Sequence, residues 1–423
     1  MVLFRGVRQL MLLSLLVLIF GAVGQAEPVI VSFWHIYGPG SPAGDLMERA
    51  VEEFNRQYAG EIVIEATVVG FWDIFDQYPV ARAAGIGPDV IIFNLDGVRK
   101  EAFRGWLTDL TPLIERDGID MDDFLPGALE AVTLDDKIYG LPFNLDTRVL
   151  FYNRALFREA GLDPDRPPQT WDDLRHTASR LTRTEADGTY SQLGFHPMWG
   201  NVWFVPWLHS NSGRWFDDEG NPIINHPRNV EALQFVVSLI QEAGQARLNE
   251  FGEAHGFDSA FQGPETLAMV IQADDFMGHL EKNHPALDFG VGLIPYNTEP
   301  ASQLGGFAVY LPTGEKTEAA WTVAKYFTGA EFMTQWVSET GNLGGRLSVA
   351  WEVHRDDPKR LLATEQMVHS RFNDAQTHPE FEPWGEIFPR VDQAVNLQVT
   401  PAAALEDAQR VVEALLREVR AAN

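Results

Sequence analysis

Aromatic rings and short polar side chains fall together at several points in the chain. Trp34 and His35 close a β-branched run, Pro28 to Phe33, and Asn94 and Asp96 follow another, Pro88 to Phe93. In open α/β sheets ligands bind beyond the carboxyl ends of strands, so both pairs are candidate contacts; capping the core is the alternative role for Trp34. Asn144 and Asp146 follow Leu141-Pro142, and Arg148 stands close enough to pair with Asp146 in place of a ligand. Asp146 also fits the ordinary use of Asp in turns. Trp199, Trp203 and Trp207 are spaced by four, which on a helix would align them on one face, yet Gly200 and Pro206 interrupt any regular helix. At least one of the three is expected to touch a ligand and at least one to sit in the core. Gly305-Gly306-Phe307 combines two residues that allow φ > 0 and close backbone approach with a ring that can stack. Arg346 offers a planar fork suited to vicinal hydroxyls or an anionic substituent, with a helix-start salt bridge as the equal alternative. Trp72 and Trp384 are read first as core residues and second as contacts. Rings cover apolar C–H faces, and Asp, Asn and Arg pair with hydroxyls. Such residue types suit contact with a molecule that carries both apolar C–H faces and hydroxyls.

Catalytic readings find less support. There is no HExxH, the eleven histidines are scattered, and no G-x-S-x-G elbow occurs. Gly38-Pro39-Gly40 after the first strand has the wrong spacing and too many prolines for a dinucleotide turn. The chain has no cysteine, which excludes disulfides, thiolate metal sites, cysteine nucleophiles and a lipid-modified cysteine. A hydrolase acting on glycosidic bonds stays open, because it needs the same rings and a pair of carboxylates. The 60 acidic residues against 32 basic ones give a net charge of −28, which repels nucleic acid and anionic lipid.

The elements that would hold these residues alternate. A strand at 28–33, a helix from Asp45 to Tyr58, a strand at 61–69 and a strand at 88–93 make an α/β pattern with a mainly parallel sheet. Strands are expected at 138–142 and 149–152 around a turn, and at 267–271, 289–294 and 307–311. Helices are expected at 171–181, capped by Thr170 with Asp173 at the third position, at 230–243 closed by Gly244, at 318–327, and at 401–419. The 423 residues exceed one comfortable core, yet no Gly/Ser/Pro-rich linker divides them. Two lobes joined by strands that cross more than once satisfy both facts.

The N-terminus reads as a signal peptide over 1–26: Arg5 and Arg8, an apolar run from Leu10 to Phe20, then Gly24-Gln25-Ala26. A retained anchor is the alternative. No later stretch is long and apolar enough to span a bilayer. The expected location is a periplasm, with free secretion as the second choice.

The order of segments resembles the family-1 extracellular solute-binding proteins of ABC importers, the maltose-binding-like group. The resemblance rests on Phe33-Trp34-His35, on Gly87-Pro88-Asp89-Val90, and on Trp106 through Leu113. It is most specific in Tyr139-Gly140-Leu141-Pro142-Phe143-Asn144 through Tyr152-Asn153, and it continues through Thr170-Trp171-Asp172-Asp173-Leu174, Ala268-Met269, Gly305-Gly306 and Ala403-Ala404-Leu405. It implies an α/β, two-lobed periplasmic-binding-protein fold (type II, Venus flytrap) with the ligand cleft between the lobes. Lobe one would be 27–142 plus 304–347 and lobe two 146–300 plus 350–423, with crossings near 143–145, 301–303 and 348–349. It implies a sugar ligand, a mono- or oligosaccharide, handed to membrane permease subunits by a monomer with no cofactor, no metal and no catalysis. A non-sugar such as a glycerol phosphodiester or a polyamine stays open on the same fold. By the same resemblance Asp275 stands where relatives often carry a tryptophan, so its contact would differ from theirs. Asn94 likewise replaces a common carboxylate.

Overall fold

The computed structural model describes residues 27–201, 203–255, 261 and 266–422. The expected signal segment, 1–26, lies outside the described residues. The strands are β1 (Val29–His35), β2 (Ile62–Val68), β3 (Val90–Asn94), β4 (Thr133–Leu134), β5 (Lys137–Ile138), β6 (Leu141–Asn153), β7 (Arg183–Thr184), β8 (Tyr190–Gly200), β9 (Leu267–Ala273), β10 (Phe289–Gly292), β11 (Leu304–Tyr310) and β12 (Leu343–Gly344). Ten of them form one sheet in the order β2-β1-β3-β11-β6-β9-β8-β7, with β10 and β12 also paired to β6. The remaining two, β4 and β5, make a small hairpin.

β1, β2 and β3 are parallel, and the helices Pro42–Gln57 and Ile74–Ala83 make the crossovers. The first helix starts at Pro42, three residues before the expected Asp45. Ser41 accepts the Gly44 N–H, Pro42 sits at the first position, and Leu46, Met47, Ala50 and Phe54 turn one face inward. The helix Trp171–Leu181 carries the capping box expected of Thr170 and Asp173. The helix Pro227–Ala243 begins three residues before the expected start and ends on Gly244 at φ 85°.

β6 differs from expectation in an instructive way. The sequence suggested strands at 138–142 and 149–152 around a turn; the structure has one 13-residue strand across 141–153. Its polar middle, Asn144 to Arg148, looks like a turn but is paired throughout. Residues up to Thr147 bond to β11, and residues from Arg148 bond to β9. Being buried along almost its whole length, β6 has no need of alternating polarity.

Two apolar clusters flank this strand. One gathers Val31, Phe33, Phe54, Trp321 and Trp336 around β1 and the helices Thr317–Thr328 and Ala330–Thr340. The larger runs from Ile74 and Ile91 past Phe151 to Trp171, Trp207, Trp215 and Val412. Among the described residues no helix is long and apolar enough to cross a membrane.

Candidate functional site

Asp146 and Arg148 lie two residues apart on β6, so their side chains leave the same face of the strand. Arg148 Nη1 donates to Asp146 Oδ1 at 2.6 Å. The rest of the guanidinium reaches Asn201: Nε donates to its carbonyl at 3.3 Å and Nη2 to its Oδ1 at 3.2 Å. Asn201 Oδ1 also accepts the Trp203 indole N–H at 3.1 Å, and the Asn201 backbone N–H donates to Gln272 Oε1 at 3.1 Å. The result is a fixed polar network made by β6, the end of β8, the turn after it and β9.

Two cavities share that network as a wall. One, of about 420 Å³, is lined by Asp146, Arg148, Asn201, Gln272, Asp275 and His279. The other, of about 630 Å³, adds Phe71, Trp203, Gln303, Gln376 and Trp384. Trp203 has a positive φ of 29°, rare for a large side chain and a mark of a constrained turn. Its ring is 47% exposed and packs on Phe388 at 5.2 Å, which in turn packs on Trp384 at 5.3 Å. Phe71 belongs to a second ring group, with Trp72 at 4.8 Å and Phe307 at 6.2 Å. Trp72 is 79% exposed.

Charge in the smaller cavity is predominantly acidic. Burial pushes the Asp275 carboxyl up, and the neighbouring Asp146 charge adds to it while Arg148 opposes it. Asp274, directly beneath, is raised well above the carboxylate range by burial, then by Asp275 and Asp146. Its Oδ1 accepts the Thr147 N–H at 2.7 Å. A strongly anionic guest would meet two carboxylates and an arginine already paired, an unfavourable exchange.

The candidate residues divide into two groups. Asp146, Trp203, Asp275 and Trp384 line the cavities, and Trp72 and Phe307 belong to the ring group around Phe71. Trp34 is half-buried at the end of β1, and Asn94 and Asp96 follow β3; the Asn94 side chain bonds the Asp96 carboxyl, which burial lifts to about 6. Gly305 and Gly306 serve the strands. A Cβ on Gly305 would lie 2.5 Å from an Asp146 carboxylate oxygen, and one on Gly306, at φ 137°, would lie 2.3 Å from the Asn144 carbonyl.

Four candidates belong to the framework. His35 is buried, its imidazole lowered to about 4 by burial, and its Nδ1 accepts the Tyr37 N–H. Asn144 is buried and accepts the Trp336 indole N–H at 3.1 Å. Trp207 is fully buried among Trp171, Phe195 and Phe235. Arg346 pairs with Asp123 at 2.9 Å, donates to the Thr328 carbonyl at 2.7 Å and lies over Phe124; it is the salt bridge at a helix start that the sequence allowed. The three tryptophans do not share a helix. Trp199 ends β8 stacked on His196 and faces a separate cavity of about 590 Å³, Trp203 lies in a connection, and Trp207 sits in the short helix Val205–His209. Sequence reasoning missed Phe71, Asn201, Gln272, Gln303 and Gln376. Gln272 had a visible signal, as the one strongly polar side chain in the apolar run Leu267–Ala273.

Residues 38–334 match the model of a family described as bacterial extracellular solute-binding protein. The arabinooligosaccharide-binding protein of Bacillus subtilis (strain 168) is 26% identical over 279 residues, 63% of this chain and 62% of that protein, so the match spans less than two thirds of that relative. The sn-glycerol-3-phosphate-binding periplasmic protein UgpB of Escherichia coli (strain K12) is 23% identical over 386 residues, 84% of each chain. Among solved structures, one described as CpMnBP1 with mannotriose bound superposes with a TM-score of 0.75 and 25% identity, covering 90% of this chain and 99% of that one.

Proposed function

The chain belongs to the bacterial extracellular solute-binding proteins, and from that premise we propose that it captures a neutral oligosaccharide and delivers it to the membrane subunits of an ABC importer. The carrying observation is the Asp146–Arg148–Asn201–Gln272 network set beside the Trp203 and Trp384 rings. Sugars need that pairing: hydrogen-bonding groups for the hydroxyl edge and rings for the C–H face. Two adjoining cavities of about 420 and 630 Å³ offer room for more than one sugar ring. Lobes at 27–142 plus 304–347 and 146–300 plus 350–423 would close on the ligand, bringing Phe71 and Trp72 toward Trp203 and Trp384. The protein acts outside the cytoplasmic membrane, exported by segment 1–26, and needs no cofactor. It returns its ligand chemically intact.

The test is thermal unfolding of the protein with mannotriose, maltose, arabinotriose, sn-glycerol 3-phosphate and putrescine. A ligand at about 100 times its Kd adds roughly 2.7 kcal/mol of stability. A shift with one sugar series is expected. A shift only with glycerol phosphate or only with putrescine overturns the sugar and keeps the fold's role. Shortened oligosaccharide in the recovered solution would make the protein a glycosidase.

A further inference from the structure

The wall shared by the two cleft cavities presents hydrogen-bond donors to a guest, and the protein itself fixes that polarity. Gln272 Oε1 accepts two backbone N–H groups, from Asn201 at 3.1 Å and from Ala273 at 2.9 Å. Asn201 Oδ1 also accepts twice, from Arg148 Nη2 at 3.2 Å and from the Trp203 indole N–H at 3.1 Å. Turning either amide over would set its NH2 group against two donors, so the placement of oxygen and nitrogen is forced. Gln272 Nε2 and Asn201 Nδ2 are therefore the ends left to a guest. Neither nitrogen has a protein partner among the described residues, and neither is sealed off.

The backbone sets where these donors stand. Gly200 ends β8 at φ 82°, and a Cβ there would lie 2.1 Å from the Ile271 carbonyl oxygen. Glycine alone allows that approach, which brings Asn201 onto Gln272. Both side chains line both cavities, so an oxygen bonded to either lies where the cavities meet. Arg148 is the one lysine or arginine among the described residues of the two linings. It is already committed, through Nη1 to Asp146 and through Nε and Nη2 to Asn201. An anion at the shared wall finds no unpaired cation. An ammonium there meets N–H groups, and both sides only donate. A neutral oxygen accepts from the amides, and hydroxyls on either side of it can donate to Asp146 and Asp275.

We propose that Asn201 and Gln272 determine the specificity of the cleft: they bind an acceptor oxygen near the link between two sugar rings, so the preferred ligand is an oligosaccharide lying across both cavities. This rests on the transport reading above. Arg148 is a positioning residue, which occupies Asn201 Oδ1 and so turns the Asn201 nitrogen to the guest.

Calorimetric titration of wild type, Gln272→Glu and Asn201→Asp tests this with maltose, mannotriose and arabinotriose and with D-glucose, D-mannose and L-arabinose. Each substitution keeps the side-chain shape and the accepting oxygen and removes the N–H donors. At pH 7 at least one oligosaccharide binds wild type at least about tenfold more tightly than its monosaccharide, and binds each variant at least about tenfold more weakly than wild type. As the pH falls to about 4.5 the new carboxyl takes up a proton and regains an O–H donor, so the ratio of variant to wild-type affinity rises. Wild-type affinity in either variant at pH 7 overturns the role of that residue and leaves the transport reading standing. A variant that stays weak at about pH 4.5 marks a structural role and overturns the proposal for it. A monosaccharide that binds as tightly as its oligosaccharide overturns the span across both cavities. No binding of any of these sugars to wild type overturns the transport reading, and this inference falls with it.

Discussion

Replacing Gly305 and Gly306 one at a time with Ala separates the ligand network from the backbone that supports it. Both residues lie on β11 opposite β6, Gly305 facing Asp146 and Gly306 facing Leu145. A methyl group on Gly305 would approach the Asp146 carboxylate oxygens to 2.5 and 2.8 Å. The obstructing atoms end a side chain that can rotate, so unfolding stability falls by only about 1 kcal/mol. Rotation, however, breaks the 2.6 Å bond to Arg148 and turns the carboxylate away from the cavity. Oligosaccharide affinity falls about tenfold, or ~1.4 kcal/mol. On Gly306 the same methyl meets the Asn144 carbonyl oxygen at 2.3 Å with φ at 137°. Neither the backbone atom nor the φ can yield cheaply. Strain alone costs about 1–3 kcal/mol, and the overlap brings the destabilisation to roughly 3 kcal/mol or more. Urea unfolding reads stability, and an oligosaccharide titration reads binding. Wild-type affinity in Gly305→Ala refutes the role given to the Asp146 carboxylate. Equal stability of the two variants refutes the backbone argument.

Three further outcomes follow. Trp207→Ala, at a fully buried position, lowers unfolding stability by about 3–5 kcal/mol, whereas Trp203→Ala costs little stability and weakens oligosaccharide binding about tenfold; urea melts and titrations compare the two. Arg346→Met removes the Asp123 pair and the Thr328 bond, so it destabilises by roughly 3 kcal/mol with the Kd of the remaining folded protein unchanged. Burial raises the Asp374 carboxyl to about 6 from an ordinary 3.8, so its protonated form is favoured in the fold. That contribution is complete below pH 3.8 and lost as the pH rises through 6. Asp374→Asn keeps an acceptor for the Trp215 and Phe216 N–H groups and removes this loss. Between about pH 4 and 6 its unfolding free energy therefore climbs more steeply with pH than the wild type's, by about 1.4 kcal/mol per pH unit; urea midpoints across that range check it.

Local signals in the sequence identified most elements because local physics fixes them. Thr170 and Asp173 cap one helix and Gly244 ends another, whereas the Ser41-Pro42 start of a third went unread and its expected start, Asp45, fell three residues late. What misled was context. Asn144 to Arg148 carry turn-like residue types, and only their pairing with β11, β12 and β9, more than 120 residues away, makes them strand. Gly200 and Pro206 signalled that Trp199, Trp203 and Trp207 share no regular helix, but not that β8 runs to Gly200 and leaves the three in a strand, a connection and a short helix. Arg346 and Asp123 meet across 223 residues, so the pairing that occupies the guanidinium has no local trace. Asp146 was singled out as a polar residue after Leu141-Pro142, although its place on a buried strand was not legible. Nor were amides such as Asn201, Gln303 and Gln376, which matter only because of what stands beside them.

The placement of Asp146 and Arg148 bears on how capture would be coupled to shape. β6 changes partner between Thr147 and Arg148, from β11 to β9. The ion pair therefore ties Asp146, in the part of β6 paired to β11, to Arg148, the first residue paired to β9. A ligand bonded to Asp146 and Asn201 at once would be held by both halves, and its binding energy would depend on their relative angle. Trp72 and Trp203 are 79% and 47% exposed, and each ring belongs to an aromatic group of a different half. Large rings left in water gain by being covered. A guest with apolar faces would supply that cover if the proposed closure brings the two groups together, and the polar network would favour hydroxyls. Under the closure proposed above, affinity and closure would be one event: a ligand that satisfied the network but lacked a face for the rings would bind without closing the lobes.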